Sequence, residues 1–264
     1  MRVTRLVFAL VLTTLVLLPC VAQQPVAANA QATALLQKSL SALSSGQSLT
    51  DVTLSGTARR IAGSDDESGT AVLKAMANGQ SRVDLNLSAG PRSEVHGISA
   101  DGPAGSWSGP DGVAHPIAYH NLVSEPAWFF PASVLAQGLS VSAYVVTYVG
   151  HESRNSVAVE HVSLSQPASG SPKIAALFQH LSQVEIYLDS TTLLPVGLTF
   201  NVHPDDDAGL DIPSEIRYSD YRAVNGTQVP FHIQKYVNNT LFLDFQAQTV
   251  TLNTGLNASA FSIQ

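Results

Sequence analysis

The C-terminal third of the sequence alternates apolar and polar residues in short segments that are separated by tight turns. These segments span residues 184–188, 196–203, 212–221, 229–237 and 241–252. A period of two is typical of strands with one buried face, and it does not fit an amphipathic helix. Asn225-Gly226 and Asn238-Asn239 lie between segments and favour hairpin turns. The pattern therefore predicts consecutive antiparallel strands over this part of the chain.

The same alternation occurs in the N-terminal half. It begins at Leu49, resumes at 70–76 and then reaches Asn78-Gly79, which is a strong hairpin signal. Further alternating segments follow at 82–87 and 94–99. These residues predict a meander of strands before the centre of the chain. Two more strands are predicted at 141–149 and 156–164.

Apolar residues at helical spacing predict two longer helices. Leu36, Leu40 and Leu43 lie on one stripe of residues 32–43. Residues 172–182 also carry one apolar face. Between the predicted strands, the prolines of segment 119–138 suit the first turns of short helices. Because each helix has one apolar face, we expect the helices to cover one face of the sheet.

The centre of the chain is rich in glycine, proline and serine. Residues 102–116 predict a loop or an irregular hairpin. We interpret the stretch near 100–140 as an insertion within a single domain that spans residues 23–264, because β domains of this length are common. Trp107 stands where a nucleophile elbow needs its serine, so no hydrolase is indicated.

The first residues have the pattern of a secretory signal peptide. Arg2 and Arg5 precede an apolar run that is too short for a membrane span of about twenty residues. We assign residues 1–22 to the signal and favour cleavage after Ala22 over cleavage after Ala30. We therefore expect an exported, periplasmic protein with no transmembrane span.

Cys20 is the only cysteine, and it raises the alternative of a lipidated N-terminus. Lipidation signals usually carry a small residue before the cysteine, whereas this chain has Pro19 there. We therefore expect no lipid anchor at Cys20. Removal of the signal would also leave the chain without a disulfide or a thiolate ligand.

The composition argues against further classes of function. The chain has 13 basic and 20 acidic residues, a net charge of −7, and 45% of its residues are hydrophobic. An acidic surface does not attract nucleic acid, so we expect no nucleic-acid partner. No glycine-rich loop that could cradle a phosphate is found, and we expect no cofactor.

A set of residues in the C-terminal strands points to a known family. The set comprises residues 184–189, Leu194-Pro195, 218–221, Asn225-Gly226, Val229-Pro230, 250–253 and Phe261. It resembles the LolA-like superfamily of bacterial envelope proteins, which includes the outer-membrane lipoprotein carriers. The N-terminal helix followed by a strand meander agrees with that family in layout.

The resemblance implies an α+β fold that is mainly β: a curved antiparallel sheet, or half-barrel, that covers a few amphipathic helices. It also implies an apolar cavity in the concave face that accepts acyl chains, and no catalysis. Burial of an acyl chain in such a cavity is favourable, because each methylene removed from water contributes about 0.8 kcal/mol. A fold alone does not establish this function.

Candidates for the lining of such a cavity are large apolar residues on segments that could lie over the concave face. They are Trp128, Phe129, Phe130, Leu135, Leu177 and Phe178. The alternative for the aromatic cluster is a core plug beneath the sheet, because large aromatic side chains are mostly buried.

We expect no catalytic residue and no metal ligand. The eight histidines show no pair at the helical spacing of metal sites. The acidic run at 205–207 lacks the pattern of a calcium-binding loop and is interpreted as a solvated hairpin turn.

Two functions remain open at this stage. The first is a non-catalytic envelope protein that binds or carries an apolar ligand, either a lipid or an acylated peptide or lipoprotein. The second is an interaction or scaffolding module with a filled core, which binds other envelope proteins and no small molecule.

Overall fold

The computed structural model describes residues 25–140, 144–167 and 169–263, and the predicted signal peptide at 1–22 lies outside them. Within the described residues, thirteen strands form one antiparallel sheet. The strands are β1 Asp51–Ala62, β2 Asp65–Met76, β3 Ser81–Leu87, β4 Gly90–Ser99, β5 Gly102–Ser108, β6 Ala114–Pro116, β7 Val145–Arg154, β8 Val157–Ser165, β9 Val184–Asp189, β10 Pro195–Val202, β11 Ile212–Val224, β12 Thr227–Val237 and β13 Thr240–Leu252.

The strand order follows the chain except at one pairing. The order is β6-β5-β4-β3-β2-β1-β13-β12-β11-β10-β9-β8-β7. Two meanders are therefore joined where β1 pairs with β13, through partners such as Val52 and Leu252. Both meanders were predicted from the hairpin turns, which the structure confirms at Gly79, Asn225 and Asn238 with positive φ angles.

The sheet is strongly curved. Glu94 on β4 and Lys235 on β12 are five strand positions apart, which in a flat sheet would separate them by about 24 Å. Their side chains nevertheless line the same pocket. Register shifts beside Gly56, Gly197 and Gly150 mark irregularities of the β-bulge type, which bend strands and increase their twist. The predicted α+β class with a curved antiparallel sheet is confirmed.

The helices are α1 Pro25–Ser44, α2 Tyr119–Ser124, α3 Pro131–Gly138 and α4 Pro172–Leu181, and a short 3-10 helix spans Ala258–Phe261. On α1, the predicted stripe is buried at Leu36 and Leu43, and this helix contacts α3, β7 and β12. Among the described residues, no helix combines the length and the apolar character needed to cross a membrane.

Two regions differ from the prediction. The glycine-rich centre was expected to be a loop or an irregular hairpin; β5 and β6 do form a short hairpin, but β5 also pairs with β4 from Gly102 to Ser108 as a regular part of the sheet. Helix α4 was expected to pack on the core, but Ile174 is 58% exposed and Leu177 is 48% exposed. The apolar periodicity predicted correctly that this segment forms a helix, but it predicted wrongly that the helix is buried. The pattern does not show whether another part of the protein covers the apolar face.

Candidate functional site

One segment fills much of the space enclosed by the curved sheet. We call residues 126–138, which include α3, the plug. Its aromatic residues Trp128, Phe129 and Phe130 are at most 5% exposed. The hydroxyl of Tyr218 donates a hydrogen bond to the carbonyl of Trp128, and the Ser133 hydroxyl lies 3.2 Å from the carbonyl oxygen of Ala77. Hydrogen bonds as well as the burial of apolar side chains therefore hold the plug in place.

A pocket of about 190 Å³ lies between the plug and the concave side of the sheet. We call it the Trp pocket, because both tryptophans of the chain line it. Its remaining apolar lining is Val83, Leu85, Phe242 and Leu243, and its charged lining is Arg60, Arg92, Glu94 and Lys235. Trp107 is 43% exposed and Trp128 is buried, so the pocket connects the surface with the interior.

A second pocket, of about 210 Å³, lies on the other side of the plug. It is lined by His96, Leu122, Glu125, Tyr144 and Gln166, together with Pro126, Ala127 and Gln137 of the plug. Its lining includes more polar groups than that of the Trp pocket. Ligand pockets usually measure about 300–1,000 Å³, so each interior space is small by that measure.

Four ionisable side chains separate the two pockets, and we call them the ionic wall. Glu94 and Lys235 face the Trp pocket, whereas His96 and Glu125 face the second pocket. The Nζ atom of Lys235 contacts Glu125 Oε1, and His96 Nε2 lies 3.1 Å from Glu94 Oε1. Lys235 Nζ is also 5.2 Å from the centre of the Trp128 ring, within range of a cation–π interaction.

The charges of the ionic wall stabilise one another. Burial raises the pKa of Glu94, but the hydrogen bond from His96 and the charge of Lys235 outweigh burial and lower that pKa to about 2. Burial lowers the pKa of His96, and the hydrogen bond and charge of Glu94 raise it above its usual value overall. For Lys235, burial lowers the pKa, but the charges of Glu125 and Glu94 raise it overall. Lys235 and Glu94 are therefore ionised at neutral pH.

A second charged group lies at the edge of the Trp pocket. Oε1 of Glu67 accepts hydrogen bonds from Arg92 at 2.6 Å and from Arg60 at 3.2 Å. The other oxygen of Glu67 and the Nε atom of Arg92 are buried without a hydrogen-bond partner among the described residues. Buried groups of this kind favour a further polar partner, because an unsatisfied one costs about 1–3 kcal/mol.

Larger depressions are present on the outer face of the sheet. One of about 370 Å³ is lined by Glu185, Thr199 and Glu215, whose side chains point away from the core, and another of about 330 Å³ includes Val72 and Asp84. The lining of the first depression is about equally polar and apolar, and that of the second is mainly apolar. Both are more open to solvent than the two interior pockets, whereas an acyl chain is stabilised by removal from water.

The six candidate cavity residues fall into two groups. Trp128, Phe129, Phe130 and Leu135 lie together in the plug and are buried. Leu177 and Phe178 lie on α4, where Leu177 is exposed and Phe178 is half-buried. Of the six, only Trp128 lines the Trp pocket. The assignment of these residues to a ligand cavity stays a prediction.

Sequence reasoning missed the charged residues of the interior. Glu94 and Arg92 lie on one face of β4, opposite the apolar Val83 and Leu85 of β3. In an alternating strand this face should be apolar, so charged residues at these positions were the available signal. Lys235 gives the same signal on β12, where it pairs with Leu243 of β13.

Comparison of the fold with known proteins gives solved structures of similar architecture, and three of them illustrate the match. A DUF1329 family protein from Desulfovibrio piger has a TM-score of 0.56 at 9% identity, with 89% of this chain and 97% of that chain covered. A LolA superfamily protein from Nitrosomonas europaea has a TM-score of 0.54 at 13% identity, with 88% and 97% covered. An outer-membrane lipoprotein-sorting protein domain from Vibrio parahaemolyticus has a TM-score of 0.54 at 12% identity, with 89% and 97% covered.

Sequence comparison gives no closer assignment. Neither a protein-family model nor a curated protein matches the chain significantly. Identities of 9–13% show a shared fold and nothing finer. The structural similarity extends over 88–89% of this chain. The chain therefore has the fold of the LolA superfamily.

Proposed function

We propose that this chain is an exported, non-catalytic cell-envelope protein that binds an apolar ligand, a lipid or an acylated peptide or lipoprotein, in the Trp pocket. The observation that carries the proposal is the composition of that pocket. Trp128, Leu85 and Leu243 form an apolar floor on the concave side of the sheet, and charged groups stand at its edge. This arrangement suits a molecule with an acyl chain and a polar head.

The charged edge supports an amphipathic ligand in preference to a plain hydrocarbon. Arg92 Nε and Glu67 Oε2 are buried and have no partner among the described residues. A polar head group at this edge would supply the missing hydrogen bonds while its acyl chain occupies the apolar floor. The lipoprotein-sorting domain and the LolA superfamily protein that share the fold support a ligand of this kind.

The volume of the Trp pocket limits how much of a long ligand it can hold. At about 190 Å³ the Trp pocket holds only part of an acyl chain. A longer chain requires the plug to move away from the sheet, as the side chains of Trp128 and Phe129 occupy the adjacent space. We therefore expect ligand binding to be coupled to displacement of the plug.

The two tryptophans provide a direct test, because both line the Trp pocket. Fatty acids brominated on the acyl chain should quench tryptophan fluorescence saturably, and the same acids without bromine should compete. A variant with a larger side chain in the pocket is Val83→Phe. Phenylalanine is used because Val83→Trp would add a third tryptophan to the fluorescence. Val83→Phe narrows the pocket and should weaken quenching, whereas Val149→Phe, at an exposed position on β7, should leave it unchanged.

Purified protein expressed with its signal intact should also release a bound lipid or acylated peptide on solvent extraction, as detected by mass spectrometry. The absence of saturable quenching together with ligand-free protein would contradict the proposal. Recovery of the native chain from a periplasmic fraction tests export separately.

One observation favours the second candidate function, an interaction or scaffolding module. The plug is well packed, with Phe129 and Leu135 each 1% exposed, as in a core that needs no ligand. Helix α4 presents Ile174 and Leu177 to solvent, which suits contact with another envelope protein. Crosslinking at α4 that returns a protein partner, with no lipid in the extract, would favour this function over the carrier.

A further inference from the structure

Three ionisable side chains, one from helix α4 and two from the loop between β10 and β11, converge at one end of the β10–β11 hairpin. His180 lies in the last turn of α4, His203 follows β10, and Asp211 precedes β11. Their ligand atoms all lie within 4.8 Å of one another. The Nε2 atoms of both imidazoles approach the same oxygen, Asp211 Oδ1, at 2.9 Å from His180 and 3.1 Å from His203.

We propose that His180, His203 and Asp211 form a binding site for a divalent transition-metal ion of the zinc class. Zinc binds imidazole nitrogen and carboxylate oxygen at about 2.0–2.2 Å, so neighbouring ligand atoms of a tetrahedral site lie about 3.3 Å apart. The two nitrogen–oxygen distances of this site are only a few tenths of an ångström shorter. An ion therefore fits after a small outward movement of the exposed side chains.

The local packing holds the buried ligand in place. The backbone N–H of His203 donates to Asn121 Oδ1 at 2.8 Å, and Asn121 Nδ2 donates to the carbonyl of His203 at 2.8 Å. This pair of hydrogen bonds fixes His203 against α2. The side chain of His203 is 0% exposed, and those of His180 and Asp211 are 45% and 39% exposed. His203 is therefore fixed in position, and the exposed side of the site leaves room for water as a fourth ligand.

The charge balance also favours a cation. The ion pairs of Asp211 among the described residues are with the two histidines, and neither lysine nor arginine takes part. The connecting loop adds Asp205, Asp206 and Asp207, which make the surroundings more negative. Imidazole with carboxylate selects zinc, copper, nickel or cobalt over calcium and magnesium, which prefer oxygen ligands alone.

A second group of possible ligands in the chain provides a contrast. Glu94, His96 and Glu125 also place three ligand atoms within 4.8 Å of one another. There the ammonium group of Lys235 contacts Glu125, so a cation is already supplied by the chain. Within the described part of the chain, no lysine or arginine forms an ion pair at the His180 site, which is why we assign metal binding to that site alone.

The test is isothermal titration of the purified, metal-stripped protein with zinc chloride, together with the visible absorption of bound cobalt. We expect one zinc ion per chain and a cobalt spectrum typical of four-coordinate nitrogen and oxygen ligation. His180→Ala and Asp211→Asn remove exposed ligands, so both variants should fold and should bind zinc at least about tenfold more weakly.

The matched control is His151→Ala. His151 is an exposed histidine that lies 3.0 Å from the Glu160 carboxylate, but no second imidazole converges there. This variant should bind zinc as tightly as the unchanged protein. The proposal is overturned if zinc does not bind the unchanged protein, or if His151→Ala weakens binding as much as His180→Ala does. Binding that survives in both ligand variants would overturn it equally.

Discussion

Lys235 on β12 contacts Glu125 inside the curved sheet, although the two residues are 110 positions apart in the sequence. Lys235 is 7% exposed, and its ammonium group also faces the ring of Trp128. A buried ion pair of this kind gives little net stability, because desolvation of the two charges offsets their attraction. Its effect is to fix where the start of the plug meets the sheet.

Removal of one partner of this pair should be strongly destabilising. Glu125→Gln leaves the Lys235 ammonium buried without its closest carboxylate, and we expect a loss of about 3–5 kcal/mol in the free energy of unfolding. Lys235→Met combined with Glu125→Gln removes both charges and should recover much of that loss. Urea denaturation of the unchanged protein and of the two variants measures this difference. Equal losses in the single and the double variant would contradict the argument.

The pair formed by His96 and Glu94 should make stability depend on pH. The pKa of His96 is raised by Glu94, so its contribution is complete below its unfolded pKa of 6.5 and is lost as pH rises through the folded value. The pKa of Glu94 is lowered to about 2, so its contribution is present above 4.5 and is lost as pH falls towards about 2. The pair therefore stabilises the fold most between these unfolded values.

Unfolding free energies measured at several pH values test this expectation. His96→Gln should cost more stability at about pH 5.5 than at about pH 8.5, because the charged form of His96 is present at the lower pH. In a Glu94→Gln background the cost of His96→Gln should lose most of this pH dependence. A cost that rises with pH would contradict the assigned direction of the His96 pKa.

The sequence predicts more of the fold than of the candidate site, and the reason is physical. Strand alternation and turns such as Asn225-Gly226 are local signals, and each of them reports one hairpin. The meeting of Lys235 with Glu125 depends instead on curvature accumulated over several strands, which no local pattern reports. The same holds for His180 and His203, whose spacing in the sequence excluded a helical metal motif and whose convergence the fold produces.

The aromatic cluster at residues 128–130 is a sequence signal that two different structures explain equally well. Large apolar residues at Trp128 and Phe129 indicate burial, and burial serves a core and a ligand cavity equally. The expectation of a core plug and the expectation of a cavity wall therefore rested on the same residues. In the structure Trp128 is buried in the plug and also lines the Trp pocket, and its part in binding a ligand stays a prediction.

The bond between Tyr218 and the plug should be important for stability. Its hydroxyl donates to the carbonyl of Trp128, and both residues are at most 5% exposed. Tyr218→Phe leaves that carbonyl without its donor, so we expect a loss of about 1–3 kcal/mol in the free energy of unfolding. Tyr236→Phe is the control, because the hydroxyl of the half-buried Tyr236 interacts with the side chains of Gln234, at 3.3 Å, and Arg217 and with no buried carbonyl among the described residues, so its loss should cost less than about 0.5 kcal/mol. Similar losses in the two variants would show that the plug does not depend on this bond.

The close approach of β1 and β13 depends on Gly56. A Cβ atom at this position would overlap the carbonyl oxygen of Gln246, at the point where the register between the two strands shifts. Because these strands join the two meanders, Gly56→Ala must separate them, and we expect a loss of at least about 3 kcal/mol. Gly109→Ala is the control, since the nearest atom to its Cβ would be Asp111 Oδ1 at 3.6 Å. Thermal and urea unfolding should show a large loss for Gly56→Ala and almost none for Gly109→Ala; equal stability of the two variants would mean that the strands can separate locally without cost to the sheet.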